Sequence, residues 1–279
     1  MSMLIDCHTH INHFPPGELQ DIINRAKDRS VLAMIVAGTT VDGSAECVRI
    51  ANENPELFAG VGIHPMQVTE PITTITYNRL RELALSSDRV AAISEIGLDF
   101  GERSPDLALQ YQAFRTQIQL AKEVRLPIIF HSRELPGQPG VHHEVFEVLR
   151  QEKGWEVGAV MHYFQGDRTT AQQCLEMGFY ISLGKPLLRL PDLQELVTEL
   201  PLESLVLETD SSPQPFKGKR ENWTEPKDTY EIAQKLATLK GIPLTDVQEI
   251  TTSNILRLYN LAKADRPKSA LKQAVGYPD

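Results

Sequence analysis

The sequence predicts an α/β protein built as a single (β/α)8 TIM barrel, and three observations support this prediction. Short segments rich in apolar and β-branched residues recur eight times along the 279 residues, and segments with helical spacing alternate with them. Such alternation implies a parallel sheet. Eight repeats also match a closed barrel, which typically needs about 250 residues. The predicted strands are apolar along their length and become polar at their C-terminal ends, as expected for strands covered on both faces.

Eight segments are predicted to be strands from their composition and length. In chain order they are residues 4–10, 31–38, 57–64, 90–99, 127–133, 157–164, 178–185 and 204–210. The clearest helical spacing lies between the fourth and fifth strands, where Ser104 and Pro105 are expected to begin a helix. The apolar positions of this helix are Leu107, Tyr111, Phe114, Ile118 and Ala121.

The region after the eighth strand contains a loop rich in proline and lysine at 211–226, a helix that ends near Gly241 and one further helix. Residues 1–262 are therefore predicted to form one barrel domain. Residues 263–279 are predicted to be a polar C-terminal tail, for which a solvated terminus is the simplest interpretation.

The composition is that of a globular protein, with 41% hydrophobic and 23% charged residues. The sequence lacks an uncharged apolar run of the about 18 residues that span a bilayer, which excludes a membrane protein. Its N-terminus has no basic region followed by an apolar stretch, so no secretory signal is predicted and a cytoplasmic location is expected. The sequence does not indicate an oligomeric state.

Cysteine content and net charge restrict the chemistry. Cys7, Cys47 and Cys174 are odd in number and far apart, which fits reduced thiols better than disulfides or a thiolate metal site. Any metal must then have nitrogen and oxygen ligands. The 28 basic and 37 acidic residues give a net charge of −9. The whole surface therefore cannot attract nucleic acid, and any such contact must be local.

Polar side chains lie at the end of the first predicted strand. His8 and His10 follow Asp6, and the alternation of side chains along a strand places the two imidazoles on the same side. Two imidazoles on one face can chelate a cation, although an H-x-H sequence also occurs on solvated loops.

Four further polar residues belong to other strands. Glu95 lies inside the apolar fourth strand, where an unpaired carboxylate is costly to bury. It therefore requires a cation or a dedicated hydrogen-bond partner, and a buried salt bridge is the alternative to a metal. His131, His162 and Asp210 end the fifth, sixth and eighth strands. Because parallel strands of a barrel end at one rim, all these side chains are expected to meet there.

This set of side chains suits two divalent ions about 3.5 to 4 Å apart. The predicted ligands are His8, His10, Glu95, His131, His162 and Asp210. The first-strand histidines and Asp210 are predicted to hold one ion, the fifth- and sixth-strand histidines the other, and Glu95 is predicted to bridge them. Imidazole favours Zn²⁺ whereas carboxylate favours Mg²⁺ or Mn²⁺, so the identity of the ions is left open.

Ordered motifs run along nearly the whole chain. They are D-x-H-x-H at 6–10, G-x-H-P at 62–65, E-I-G-L-D at 95–99, Q-x-x-x-F-x-x-Q-x-x-L-A at 110–121, H-S-R at 131–133, H-x-F-x-G at 162–166, G-F-Y-I-S at 178–182, E-T-D-S at 208–211 and G-K-R-E-N at 218–222. These motifs resemble the TatD-type metal-dependent hydrolases and deoxyribonucleases of the amidohydrolase superfamily.

The resemblance implies a barrel of the metallo-dependent hydrolase type, divalent metals on the six residues named above, and hydrolysis of phosphodiester bonds in DNA. It does not separate exonuclease from endonuclease activity. Many members of the family have an aspartate two or three positions after H-x-H, where this chain has Asn12 and His13. Tyr163 and Gln165 also replace small residues. These departures concern substrate choice rather than metal binding.

Several residues near the predicted rim are candidates for substrate contacts. His64 ends the third strand, where it can donate to a phosphate oxygen, orient the leaving group or cap a turn. Arg133, Lys219 and Arg220 are predicted to pair with flanking phosphates, with solvent exposure as the alternative. Asp99 is expected to fix a ligand or a backbone amide.

The predicted function is that of a deoxyribonuclease using metal-activated water, with DNA as substrate and Asp210, Glu95 and His64 as catalytic residues. Asp210 is expected to accept or relay a proton from water. The main alternative is a hydrolase of a small ester, amide or lactone, and a further one is a non-catalytic metal-binding scaffold. No phosphate-binding loop or G-x-S-x-G motif is found, so nucleotide-driven phosphoryl transfer and a serine nucleophile are not expected.

Overall fold

Eight parallel strands form one sheet in sequence order in the computed structural model, which describes residues 3–134, 140–262 and 270–276. The strands are β1 (Leu4–Thr9), β2 (Val31–Ala37), β3 (Leu57–Val61), β4 (Val90–Asp99), β5 (Ile128–Arg133), β6 (Ala159–Met161), β7 (Tyr180–Leu183) and β8 (Leu205–Leu207). Helices separate successive strands. The predicted (β/α)8 TIM barrel is confirmed.

The helices follow the strands in regular alternation. They are α1 (Leu19–Lys27), α2 (Val41–Glu53), α3 (Thr74–Leu85), α4 (Leu107–Val124), α5 (Val141–Gln151), α6 (Arg168–Glu176), α7 (Pro191–Glu199), α8 (Thr229–Lys240), α9 (Leu244–Ala262) and α10 (Ala270–Ala274). The helix predicted from Ser104 and Pro105 is capped instead by Asp106, whose carboxylate accepts from the amides of Ala108 and Leu109. A carboxylate is a strong N-cap, and Asp106 directly precedes the first helical residue.

Several strands end earlier than predicted. β6 and β8 have three residues each, and β3 ends at Val61. His64, His162 and Asp210 therefore lie just beyond the ladder. Asp210 has a φ of 49°, a left-handed conformation that an extended strand cannot contain. The chain has therefore left the extended strand conformation where Asp210 lies.

The seam between β8 and β1 is joined at the C-terminal ends of these strands. The amide of Asp210 donates to the carbonyl of His8 at 3.0 Å, and the amide of His10 donates to the carbonyl of Ser211 at 2.8 Å. These bonds fix the chain segments that carry His8, His10 and Asp210 beside one another.

The core has two parts. One lies between the outer faces of the strands and the helices, and includes Phe114, Phe130 and Phe146. The other, the inner cluster, joins residues on the inner face of the barrel, such as Ile5 and Phe58, to α9 and α10. Because Thr252 of α9 donates to the carbonyl of Met3, this second part lies at the N-terminal end of the barrel. The opposite, C-terminal end carries the polar residues.

Part of the predicted polar tail is packed rather than solvated. Within residues 270–276, Leu271 and Val275 are fully buried against the inner cluster. Burial of two apolar side chains outweighs the polar composition of this segment. The domain boundary at residue 262 stays a prediction. Among the described helices, none combines the length and apolar character that crossing a membrane requires.

Candidate metal centre

A cleft of about 520 Å³ opens at the C-terminal end of the barrel. Side chains from five strand ends and from the loops after β2 and β3 line it. Catalytic residues of TIM barrels come from this end of the strands, because the loops there can vary without disturbing the core. Five of the six predicted metal ligands are among the lining residues, which include His10, Glu95, His131, His162 and Asp210. The sixth, His8, is completely buried behind them.

Glu95 lies at the centre of the cluster. Its Oε2 atom is 3.3 Å from His8 Nε2 and 3.4 Å from His10 Nε2. On the other side, Oε1 is 2.9 Å from His131 Nδ1 and 3.4 Å from His162 Nε2. A third imidazole, that of His64, has its Nε2 atom 3.2 Å from the same Oε1 atom. All six predicted ligands meet at one place, because His10 Nε2 also lies 3.4 Å from Asp210 Oδ1.

The strand that carries Glu95 fits closely against its neighbour. Gly97 has a φ of 148°, and a Cβ atom there would lie 2.0 Å from the carbonyl oxygen of His131. A side chain at this position would therefore force β4 and β5 apart. Gly97 pairs with His131 in the sheet, so its missing side chain lets the carboxylate of Glu95 reach the imidazole of His131.

The electrostatics of the cluster favour an ionised Glu95. Burial alone would raise the pKa of this carboxyl group, but the charges of His64, His162 and His8 and the hydrogen bond from His10 outweigh burial and hold the pKa well below its usual range. A carboxylate that stays ionised while buried requires nearby positive charge.

Three histidines with a raised pKa supply that charge when no cation is bound, and they are His10, His162 and His131. Burial opposes protonation of His10, but hydrogen bonds to Asp210 and Glu95 raise its pKa to about 10. Burial likewise opposes protonation of His162, but the charges of Glu208 and Glu95 raise its pKa to about 9. In contrast, burial and the charge of His162 lower the pKa of His8. Without a metal ion, the cluster therefore binds protons on its histidines. A bound metal ion can supply this positive charge in their place.

The side chains fit a divalent metal ion. The Nε2 atoms of His8 and His10 lie 3.3 Å apart, a separation at which two lone pairs repel unless a proton or a cation lies between them. Within the described part of the chain, three groups have ligand atoms within 4.8 Å of one another, and they are His8–His10–Glu95, His8–His162–Asp210 and His64–Glu95–His131. Imidazole and carboxylate donors suit Zn²⁺, Mn²⁺ and Mg²⁺.

Asp99 contacts the two predicted site residues of β5. Its Oδ2 atom lies 2.8 Å from His131 Nε2 and 2.9 Å from Arg133 Nε, and its Oδ1 atom accepts from the amide of Gly101 at 2.7 Å. The side-chain amide of Gln110 in α4 accepts a hydrogen bond from the backbone amide of Asp99 and donates one to the carbonyl oxygen of Asp99. This geometry agrees with the role expected of Asp99 from the sequence.

The four candidate substrate residues differ in position. His64 and Arg133 line the cleft. Lys219 is 80% exposed, and its nearest carboxylate is Glu221 at 3.9 Å. Arg220 lies over the rings of Phe14 and Trp223, at 4.8 and 5.0 Å, and its guanidinium is 2.6 Å from Glu18. Neither Lys219 nor Arg220 belongs to the described residues that line the cleft.

Other residues of the site were not predicted. Glu208 is completely buried, and its Oε1 atom lies 2.9 Å from His162 Nδ1. It also accepts from Ser182 Oγ at 2.5 Å. A carboxylate next to the apolar residues of β8 is the same signal that identified Glu95, so the sequence could have indicated it. His13 stacks on His10 with ring centroids 5.4 Å apart, and nothing in the sequence indicates this stacking.

Comparisons with known proteins place this site in a family. A family model described as "TatD related DNase" matches residues 5–260. The "Uncharacterized metal-dependent hydrolase YabD" of Bacillus subtilis is 33% identical over 265 residues, which cover 93% of this chain and 100% of that protein. The "Deoxyribonuclease TATDN3" of Homo sapiens is 34% identical over 273 residues, which cover 92% of this chain and 94% of that protein.

A solved structure agrees with these sequence matches. The crystal structure of YJJV, a TatD homolog from Escherichia coli K12, superposes with a TM-score of 0.82 at 27% identity. The match covers 92% of this chain and 98% of that one. The similarity therefore extends over almost the whole of both chains.

Proposed function

The chain belongs to the TatD-related DNase family of metal-dependent hydrolases, and from this premise we propose that it cleaves phosphodiester bonds in DNA. The observation that carries the proposal is the position of Glu95, whose Oε2 atom faces His8 and His10 and whose Oε1 atom faces His131 and His162. A carboxylate in this position suits a pair of divalent cations, as found in many enzymes that hydrolyse phosphate esters.

The proposed metal ligands divide into two sets that share Glu95. His8, His10 and Asp210 would hold one ion, and His131 and His162 would hold the other. When bound, such ions lower the pKa of water and neutralise the charge that develops on the phosphoryl oxygens. The mixture of imidazole and carboxylate donors is compatible with Mg²⁺, Mn²⁺ or Zn²⁺.

Asp210 is the proposed proton acceptor. Its side chain lines the cleft and is 29% exposed, so water can reach it, while Glu95 is almost completely buried. Hydrogen bonding and the charges of the neighbouring histidines outweigh burial and lower the pKa of Asp210, which keeps the carboxylate ionised. An ionised carboxylate within reach of water can take its proton as the phosphorus is attacked.

His64 and Arg133 are proposed to bind the substrate from the opposite wall. His64 Nε2 points toward Glu95 Oε1 at 3.2 Å and can donate to a phosphoryl or leaving-group oxygen. Arg133 is paired with Asp99, and 56% of its side chain is exposed, so its guanidinium remains available to a phosphate. Lys219 is proposed to contact a flanking phosphate outside the cleft. A similar contact by Arg220 would require it to leave Glu18.

A DNA substrate is supported by the name of the human relative, a deoxyribonuclease. A second candidate is a small ester, amide or lactone, and two observations favour it. The net charge is −9, and Arg133, already paired with Asp99, is the one arginine or lysine among the described residues that line the cleft. A long polyanion needs several cationic contacts, whereas a small neutral substrate does not.

The salt dependence of binding separates the two candidates. The protein loaded with Mn²⁺ is assayed against end-labelled single- and double-stranded DNA and against a panel of small esters, amides and lactones. Binding of DNA through several phosphates weakens steeply as salt rises, whereas binding of a small neutral ester changes little. Cleavage of DNA with this dependence supports the proposal. Turnover of a small ester alone would replace it, and no turnover of either class would favour a non-catalytic scaffold.

A further inference from the structure

Two histidines contact the same oxygen of Glu95 but differ in what their other ring nitrogen does. His64 Nε2 lies 3.2 Å from Glu95 Oε1, and His162 Nε2 lies 3.4 Å from the same atom. By distance alone, both belong to the candidate metal ligands. Their Nδ1 atoms, however, face groups of opposite hydrogen-bonding character.

The Nδ1 atom of His64 accepts a hydrogen bond from the backbone amide of Met66, at 3.1 Å. An amide N–H can only donate, so this nitrogen must carry a lone pair and no proton. In a neutral imidazole the proton then resides on the other nitrogen. His64 Nε2 therefore carries N–H, and a protonated nitrogen has no lone pair to offer a metal ion.

The Nδ1 atom of His162 lies 2.9 Å from Glu208 Oε1. Both atoms are buried, and neither forms a hydrogen bond of regular geometry with any described residue, so the contact between them is an ion pair by distance. An ionised carboxylate can only accept, so His162 Nδ1 carries the proton. Neutral His162 then presents the lone pair of Nε2 to the cluster. His10 follows the same pattern, because its Nδ1 atom faces the carbonyl oxygen of Ala37 at 3.2 Å.

We infer that His64 is a hydrogen-bond donor that cannot ligate a metal, because the Met66 amide fixes its tautomer, and that Glu208 is the positioning residue that makes His162 a ligand. The inference deepens the proposed function and rests on it. It separates the histidines around Glu95 by the partners of their Nδ1 atoms, although their distances from Glu95 are similar.

The fold holds both arrangements in place. His64 caps a short 3-10 turn, Pro65–Gln67, and its backbone amide donates to the carbonyl of Thr39 at 3.0 Å. Turning the ring over would break the cap and leave the amide of Met66 without its partner. Glu208 is completely buried and is held by the hydroxyl of Ser182. Neither partner can move without loss of a hydrogen bond in a partly or fully buried site.

The histidines around Glu95 therefore have different roles in the reaction, because His64 offers an N–H to the substrate whereas His162 offers a lone pair to a metal ion. The ring of His64 directs an N–H into the cleft from the end of β3, where a phosphoryl oxygen of the substrate can take the place of Glu95 Oε1 as acceptor. Because the turn fixes the ring beforehand, the donor needs no reorganisation as charge develops on that oxygen.

Nuclear magnetic resonance of the ¹⁵N-histidine-labelled full chain tests the tautomers directly. Two-bond ¹H–¹⁵N spectra are recorded for the metal-free protein and for the protein loaded with Zn²⁺. We expect His64 to show an unprotonated Nδ1 and a protonated Nε2 in both states, and His162 to show a protonated Nδ1 in the loaded state. Loss of the Nε2 proton of His64 on addition of Zn²⁺, or a protonated Nδ1 in this residue, would overturn the inference.

Calorimetric titration with Zn²⁺ gives an independent measurement. His64→Gln places an amide N–H near the position of Nε2, and we expect it to leave the affinity and the stoichiometry for Zn²⁺ unchanged. Glu208→Gln should weaken the affinity for Zn²⁺ about 10- to 100-fold, as expected for loss of a carboxylate that orients a histidine ligand. Ser182→Ala is the matched control, because it removes a neighbour of Glu208 but keeps the carboxylate, and it should have the smaller effect.

The spectra of Glu208→Gln separate a positioning role from a general loss of structure. If Glu208 sets the tautomer, His162 gains the other tautomer while the spectrum of His64 is unchanged. Loss of one Zn²⁺ in His64→Gln, or wild-type affinity in Glu208→Gln, would contradict the inference. These results do not require turnover of DNA, so failure of the nuclease proposal and failure of this inference are distinguishable.

Discussion

Asp6 and Thr209 join the first and last strands of the barrel through a single carboxylate. The hydroxyl of Thr209 donates to Asp6 Oδ2 at 2.6 Å, and the backbone amide of Thr209 donates to Oδ1 at 3.0 Å. His8 follows Asp6 by two positions, and Asp210 directly follows Thr209. This contact therefore sets the distance between the two sides of the candidate metal centre.

Loss of the Thr209 hydroxyl should destabilise the protein. Thr209→Val keeps the shape of the side chain but leaves Asp6 Oδ2, which is buried, without its donor. We expect the free energy of unfolding to fall by about 1–3 kcal/mol, the usual cost of an unsatisfied buried polar group. Urea denaturation measures the change. Thr209→Ser retains the hydroxyl and should stay close to the wild type, so equal losses in the two variants would show that the contact with Asp6 does not matter.

Asp210→Asn should impair chemistry more than folding. The substitution preserves size and removes the group that is proposed to accept a proton. We expect kcat for DNA cleavage to fall about 10²- to 10⁴-fold, the range for loss of a general base. Circular dichroism should show an unchanged fold. Turnover equal to that of the wild type would remove Asp210 from the mechanism.

Truncation of Arg133 and truncation of Arg220 should affect different properties, namely substrate binding and thermal stability. Arg133→Ala removes an exposed guanidinium from the cleft and should raise KM for DNA severalfold with little effect on stability. Arg220→Ala removes the cation that contacts Phe14, Trp223 and Glu18, and should lower the thermal midpoint while KM changes little. Steady-state kinetics and thermal unfolding of both variants test this. The opposite pattern would show that Arg220 contacts the substrate and that Arg133 is structural.

The ion pair between Arg25 and Glu225 should make stability depend on pH. Both guanidinium contacts are 2.8 Å. Burial would raise the pKa of Glu225, but the hydrogen bond from Arg25 and the charges of Lys227, Arg25 and Arg220 lower it below its ordinary value of 4.5. The carboxylate therefore contributes stability above its ordinary pKa, and this contribution is lost as the pH falls through the lowered value of the folded state.

Chemical denaturation between pH 7 and pH 3 tests this dependence. Glu225→Gln lacks the titrating group, so its free energy of unfolding should fall less steeply with acid than that of the wild type. Parallel curves for the two proteins would mean that Glu225 does not contribute to the acid sensitivity.

The fold and the position of the site were accessible from the sequence for one physical reason. Strands covered on both faces are apolar throughout, so a polar residue at a strand end, such as His131, stands out. Parallel strands then bring all such residues to one rim. The same argument applies to Glu208, a carboxylate that directly follows the apolar residues of β8.

Other features depend on contacts between distant parts of the chain and leave no local signal. Arg220 lies next to Lys219 in a basic loop, yet its guanidinium lies over Phe14, which is far away in sequence. The packing of Leu271 against the inner cluster depends on the shape of the barrel, not on the polar composition of the tail. The tautomer of His64 requires the position of the Met66 amide, which only the folded turn defines.

The most direct test of the account is the metal dependence of DNA cleavage in the wild type and in Glu95→Gln. Each protein is treated with a chelator, dialysed and assayed on end-labelled DNA after addition of Mg²⁺, Mn²⁺ or Zn²⁺ singly. The account predicts that chelation abolishes cleavage by the wild type, that at least one of the ions restores it, and that none restores it in Glu95→Gln. Cleavage that persists after chelation, or wild-type cleavage by Glu95→Gln, would contradict the central claim.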